Sequence, residues 1–364
     1  MRMLIADPYY ERFLSSHYQG GDLAGISYEI LWRELMGRCF GTADFYSRAL
    51  EPLGVHAHEV VSNAYPLQLA WAKEHAPRLA HAVLLAKVPR MRQEWQRAIF
   101  RKQILWFRPD VILYQHADWA GSRLPEWARD QGVRLQILQH ATIPPPVSLL
   151  RSYDLVISSV PELVGRFDRI GIPARFLKLG FGSRVSDVVP NTPALFDVVH
   201  VGGYGGLHHE RDVFLEQINQ QLDCLFWGYG VEELPHGSAI VHNYQGEAWG
   251  IDMYRIRASS RFTVTKHITK VAGPWANNST MYEATGVGSC LVVDAKENLS
   301  TLFAPDEEVV TFSSPDEAAE KIRYLLANER ERKEVAKRGQ RRTLTSHTYE
   351  HRMTELVGIL KEFL

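Results

Sequence analysis

Asn277–Val310, NNSTMYEATGVGSCLVVDAKENLSTLFAPDEEVV, is the stretch that decides the fold. It sets Glu283 in a short helix of small residues that ends in a Gly-x-Gly turn. An apolar strand, Ser289–Val293, follows and leads to Asp294. The polar lead-in Asn277-Asn278-Ser279-Thr280 offers backbone N–H groups at the helix start, where a phosphate is favoured. A carboxylate on such a helix is suited to accept two hydrogen bonds from a ribose diol. The same pattern also fits an ordinary capped helix–turn–strand unit, so its neighbours carry the argument further.

Strand-like and helical runs alternate on both sides of this segment. Met3–Ala6 reads as a first strand and Ser27–Met36 as a helix. Strands at 109–114, Arg134–Leu138, Asp154–Ser158 and Ala174–Leu179 alternate with helices at Ser122–Gln131 and Pro161–Ile170. The polar, proline-bearing Gly182–Pro193 has no periodicity and reads as a linker. Beyond it, Phe196–Val201, Cys224–Trp227, Ala239–His242, Phe262–Thr265 and Leu291–Asp294 read as strands. Glu317–Asn328, Glu329–Arg338 and Tyr349–Leu364 read as helices. This alternation predicts an α/β protein with parallel sheets covered on both faces. Two Rossmann-like domains facing a central cleft, with ligands at the strand carboxyl ends, fit it best.

Composition narrows the function. At 364 residues the chain has room for about two domains. Forty-one basic and 42 acidic side chains give a formal charge of −1, no field for steering to nucleic acid. The basic stretch Arg90–Lys102, RMRQEWQRAIFRK, reads as a solvated helix face, or as a surface for an anionic membrane or an acceptor. Three scattered cysteines, Cys39, Cys224 and Cys290, exclude a disulfide framework or a cysteine-built zinc cluster. No signal peptide or membrane span is evident, so a cytoplasmic location is expected, with any membrane contact peripheral, at the inner face.

The chemistry-bearing candidates fall at strand ends. In VVHVGGYGGLHHERD, a strand runs into Gly202-Gly203-Tyr204-Gly205-Gly206 and then a helix from about His209. Such a loop lets backbone approach a diphosphate, and Arg211 adds a forked cation. His208 and His209 read as surface or capping residues. His116 and Asp118 follow the strand ending at Tyr114, and His140 follows the one ending at Leu138. A base that deprotonates an acceptor hydroxyl would be well placed at any of the three. His347 and His351, in HTYEH, have the spacing of a zinc pair. No DxD pair for a metal–diphosphate complex occurs in the chain.

The second half resembles the group 1 (GT4-like) glycosyltransferase domain, most closely its CgeB-like branch. The residues that carry the resemblance are GEAWGIDMYRIRASSRFTVTKH (Gly246–His267) and NNSTMYEATGVGSCLVVD (Asn277–Asp294). LFAPDEEVVTFSSPDEAAEKIRYLLAN (Leu302–Asn328) and RGQRRTLTSHTYEHRM (Arg338–Met353) continue it. The last of these absorbs HTYEH into the family pattern. The resemblance implies a GT-B fold: an acceptor domain over 1–185, a donor domain over 186–345, and a last helix, 346–364, packing back on the first. It implies that Glu283 binds ribose and that Arg211 and the glycine loop hold the donor diphosphate. Where relatives place a sugar-contacting glutamate eight positions earlier, this chain has Trp275, with Asn277 or Asn278 as substitutes.

The expectation is therefore a metal-independent, cofactor-free glycosyltransferase that uses a UDP-, GDP- or dTDP-type sugar, with retention implied by the family. Gly202, Gly203, Tyr204, Arg211, Asn277, Asn278, Ser279, Thr280 and Glu283 would serve the donor. His116, His140 or Asp118 would serve the acceptor, which is a glycan, a lipid-linked glycan, a protein or a small molecule. A nucleotide-sugar epimerase of the same fold and a catalytically silent nucleotide-binding scaffold are the rival readings. The glycine spacing argues against a dinucleotide site.

Overall fold

The computed structural model describes residues 1–23, 25–85, 92–117, 123–190, 192–276 and 278–364. The chain divides into two compact units, residues 1–177 with 353–364, and residues 178–352.

The sheet of the first unit is built from β1 (Arg2–Ala6), β2 (His56–Val60), β3 (Val111–Tyr114), β4 (Leu135–Gln139), β5 (Leu155–Ser158) and β6 (Ala174–Phe176). All pairings are parallel, in the order β2-β1-β3-β4-β5-β6. Helices cover both faces, so the central strands read as unbroken apolar runs. All four residues of β3, Val111 to Tyr114, are buried. β2, HAHEV, gives no strand signal in the sequence, because two histidines and a glutamate interrupt the apolar run. Two of its polar side chains find partners inside: His58 Nε2 meets the Tyr28 hydroxyl at 2.8 Å, and one Glu59 oxygen accepts from the Ser47 N–H at 2.9 Å, while its other oxygen is buried without a partner. The basic stretch near Lys102 lies on the helix Arg92–Phe107, which buries Trp95, Ile99, Phe100, Ile104 and Phe107.

The second unit repeats the plan with β7 (Phe196–Gly203), β8 (Cys224–Tyr229), β9 (Ser260–Thr265), β10 (Cys290–Asp294) and β11 (Val310–Phe312). The order is β11-β10-β9-β7-β8, again all parallel. Each sheet thus starts in the middle and winds outward both ways. That leaves a switch point between its first and third strands, β1/β3 in one unit and β7/β9 in the other. Open α/β sheets bind ligands at the carboxyl ends of strands flanking such a point.

Two readings of the second half need correction. Ala239–His242 is one turn of helix, not a strand. The Ser238 hydroxyl caps it by accepting from Val241 N–H, and Glu216 accepts from the Ala239 N–H at 2.9 Å, so local capping overrides the β-branched composition. The linker Gly182–Pro193 contains a short helix, Arg184–Val188. All three cysteines are free and buried, as small core residues.

Candidate functional site

β7 delivers its glycines to the switch point of the second unit. Gly203 has no room for a side chain: a Cβ there would lie 2.7 Å from His208 Nε2 and 2.8 Å from the Tyr229 ring. The loop is tied to the next helix, His209–Asn219, because Asp212 accepts from the Gly205 N–H at 2.8 Å. Tyr204 turns inward. It is 2% exposed, and its hydroxyl donates to Trp227 O at 3.0 Å, which makes it a packing residue of the loop.

Two guanidinium groups lie beneath this loop. Arg211, buried on the first turn of its helix, donates to Gly203 O, and its Nε is buried with no partner. Burial depresses its pKa, Asp212 opposes that shift, and the nearby Arg257 adds to it. Arg257, from the helix Ile251–Ala258, is ion-paired with Glu283 and donates to Val201 O at 3.0 Å. One side chain therefore ties the end of β7 to the helix Ser279–Gly286. Its contact with Thr280 Oγ1, at 3.5 Å, is marginal.

His200 sits against both cations. Its Nδ1 lies 2.8 Å from Val264 O, and a carbonyl only accepts, so Nδ1 carries the proton and Nε2 is bare. Burial, then Arg211 and Arg257, hold this imidazole well below the usual histidine range. His208 is pushed down to about 4 by burial and by Arg211. It is half-buried rather than a surface residue.

The helix Ser279–Gly286 is capped by Asn278, whose side chain accepts from Met281 N–H at 3.1 Å. Ser279 and Thr280 form its first turn and are half-exposed. At the neighbouring strand ends, Asp294 accepts from the His267 N–H at 2.9 Å and meets its Nδ1 at 2.7 Å. Lys296 Nζ lies 3.3 Å from the same carboxylate. These partners outweigh burial and hold Asp294 below the usual carboxylate range.

In the first unit, the histidines sit where strand-end reasoning places them. Leu138 of β4 pairs with Tyr114 of β3, and both histidines follow two residues after that pair. His116 is exposed. His140 Nε2 donates to Ile143 O at 3.1 Å, and burial lowers its pKa. HTYEH holds no zinc pair: His347 is buried, with Nε2 on Leu302 O at 2.8 Å, and His351 Nδ1 meets the Thr348 hydroxyl at 2.8 Å. Among the described residues no group of three His, Cys, Asp or Glu could hold a metal ion.

Residues 211–358 match the glycosyl transferase-like family. The second unit is therefore similar to that family over most of its length. The whole chain also superposes on solved glycosyltransferases. Sucrose-phosphate synthase from Thermosynechococcus elongatus gives a TM-score of 0.57 at 13% identity, covering 100% of this chain and 98% of that one. HepE of Anabaena in complex with UDP-glucose gives 0.56 at 12% identity, with 100% of both chains covered. AviGT4, involved in avilamycin A biosynthesis, gives 0.58 at 14%, covering 100% and 98%. At these identities the likeness shows the fold, which is GT-B. No curated protein matches the sequence.

Among the predicted donor residues, Arg211 is bonded to Gly203 O, and Glu283 is joined through Arg257 to Val201 O at the end of β7. Asn277 and Asp118 lie outside the described residues. Sequence reasoning missed two functional candidates. Arg257 stood inside the quoted GEAWGIDMYRIRASS stretch, but one arginine among several on a helix carries no separate signal. Asp7 follows β1 directly, the same strand-end position that singled out the histidines, and that rule could have found it. Its carboxyl accepts from the Thr42 hydroxyl at 3.3 Å, and burial pushes its pKa up to about 7, with His116 opposing.

Proposed function

We propose that the protein transfers a sugar from a nucleoside-diphosphate sugar to an acceptor hydroxyl, without a metal and with retention at the anomeric carbon. The observation that carries this is the joint placement of Arg211, the glycine loop and the Arg257–Glu283 pair at one switch point. The Glu283 carboxylate, with one oxygen held by Arg257, takes the ribose diol on the other. The N–H groups at Ser279 and Thr280, the backbone at Gly202 and Gly203, and Arg211 hold the diphosphate. Arg211 is suited to this because it donates only to a backbone oxygen and retains unused donors. Positive charge fixed in a buried site stabilises a leaving diphosphate without reorganisation, the work a metal does elsewhere.

The stretches Gly246–His267 and Asn277–Asp294 support the CgeB-like branch. The UDP and UDP-glucose held by HepE of Anabaena make uridine the first base to test. Calorimetric titration with UDP, GDP, dTDP, CMP and NAD, with and without magnesium, tests the reading. Magnesium-indifferent binding of one nucleoside diphosphate, lost in Glu283→Ala, is expected. Indifference to all of them would sink it. Trp275 in place of the earlier glutamate favours the silent scaffold as second reading, and binding without turnover across a broad acceptor panel would establish it.

A further inference from the structure

In the second unit, the carboxyl end of β9 lies between β7 and β10 and carries two polar side chains with no role so far. His267 follows β9 by two residues and is 1% exposed. Its Nδ1 and its backbone N–H both meet one oxygen of Asp294, at the end of β10. An ionised carboxylate only accepts, so Nδ1 carries the proton, and in the neutral ring Nε2 is a bare acceptor. That atom is buried without a partner. The other Asp294 oxygen faces Lys296 Nζ, which also donates to Gly273 O at 3.1 Å. Thr265, the last residue of β9, is fully buried, and its hydroxyl is unpartnered too.

Position ties both residues to the proposed donor site within this one unit. Val199 pairs with Thr263, so Thr265 stands beside Val201, whose carbonyl accepts from Arg257 while that arginine pairs with Glu283. Lys266 is ion-paired with Glu210, and Thr269 donates to the same carboxylate at 3.0 Å. Glu210 directly precedes Arg211, so these bonds fix the chain around His267 to the helix His209–Asn219, which carries the arginine proposed for the diphosphate.

A buried acceptor left without a donor costs free energy that an O–H from a ligand recovers. A phosphate oxygen does not fill this place, because a bare imidazole nitrogen has no proton to offer it. A sugar hydroxyl does, since it can donate to Nε2 while a neighbouring sugar oxygen accepts from a threonine O–H. We infer that His267 and Thr265 hold the sugar attached to the nucleoside diphosphate, one hydroxyl donating to His267 Nε2 and an adjacent oxygen accepting from Thr265. Asp294 is the positioning residue, because it fixes the tautomer that leaves Nε2 bare. Such a site selects its donor by the presence of one hydroxyl, since the analogue lacking it leaves buried groups unpaired.

This inference rests on the transferase reading for the identity of its ligand, and the test separates the two. Wild type, His267→Leu, His267→Gln and the near-isosteric Thr265→Val are titrated by calorimetry with UDP, GDP and dTDP. The same proteins are titrated with UDP-glucose, UDP-N-acetylglucosamine, GDP-mannose and dTDP-glucose, and the readout is the ratio of sugar-nucleotide to nucleoside-diphosphate affinity. His267→Leu should lower that ratio about tenfold or more, and Thr265→Val should lower it by a smaller factor, with nucleoside-diphosphate affinity unchanged in both. His267→Gln, whose amide oxygen restores an acceptor, should recover part of the loss. One monodeoxy analogue of the preferred sugar should lose a similar factor in wild type and nothing further in His267→Leu. An unchanged ratio in both His267→Leu and Thr265→Val would overturn the inference and leave the transferase reading standing. Equal losses for the diphosphate and the sugar nucleotide would overturn it too, making these residues supports of the loop. Wild type that binds none of the sugar nucleotides would fail the transferase reading, and this inference with it.

Discussion

Arg257 and Glu283 form an ion pair in which the guanidinium is 1% exposed and the carboxylate 15%. A cation sealed this far from water depends on its partner, because its desolvation is not recovered elsewhere. Glu283→Ala should therefore cost the second unit about 3–5 kcal/mol as well as nucleotide affinity. Replacing both residues by apolar ones, as in Arg257→Met with Glu283→Leu, should restore most of the stability and none of the binding. Urea denaturation beside calorimetry checks both; a Glu283→Ala protein as stable as wild type would show that water already reaches the guanidinium.

Arg211 makes the opposite case. Its side chain bonds a carbonyl, its Nε is unpartnered, and burial already disfavours its charge. Arg211→Met should leave the melting temperature unchanged or raise it, while nucleoside-diphosphate affinity falls at least about tenfold, the loss of one charge-assisted contact. Adenosine-like or uridine-like nucleosides without phosphate should bind the variant and wild type alike. Equal loss for nucleoside and diphosphate would mean that Arg211 shapes the loop rather than holding phosphate.

The fold was legible where strands are apolar on both faces: Met3–Ala6, 111–114 and Leu291–Asp294 carry no competing signal. It was not legible in β2, where the half-buried His58 and the buried Glu59 take their partners, Tyr28 and Ser47, from positions distant in sequence. β11 is three residues long and too short for a periodic signal. Ala239–His242 looked extended because its helical turn is imposed by Ser238 and Glu216, not by its own residues. In the proposed donor site, the glycine loop and the capped helix that carries Glu283 were readable because turn and cap chemistry is local. Arg257 was not, since its meaning is the pairing across 26 positions of sequence.

Buried titratable groups give a pH signature with two opposing parts. Glu59 is 1% exposed and burial pushes it up to about 7, from an ordinary value of 4.5. The folded state therefore keeps a proton that the unfolded chain gives up above 4.5, so this carboxyl's contribution to stability falls as pH rises from about 4.5 to 7. His58, His208 and His347 are pushed down to about 4, so the unfolded chain protonates first and stability falls as pH drops from about 6.5 to 4. The Glu59 effect is isolated by subtraction. Relative to wild type, Glu59→Gln should gain about 2–3 kcal/mol between pH 4.5 and 7.5 and stay level above. A difference that does not change with pH would place the Glu59 carboxyl at its ordinary value.

Gly228 tests whether the donor loop is set by backbone packing from the adjacent strand. It pairs with Gly202 in the β7–β8 register and has φ of +130°, a conformation that side chains rarely adopt. A Cβ there would fall 1.7 Å from Gly202 O, so one of the two strands must move. Strain and overpacking together put the cost of Gly228→Ala at about 2–5 kcal/mol. The displaced Gly202–Gly203 segment should also lose its fit to diphosphate. Gly237→Ala is the control, because a Cβ there meets nothing within 4 Å and its φ is ordinary. It should bind nucleotide as wild type does and melt at the same temperature or slightly above. If Gly228→Ala keeps wild-type affinity despite lower stability, the loop reaches its binding geometry independently of β8, and Arg211 with Asp212 must then be what holds it.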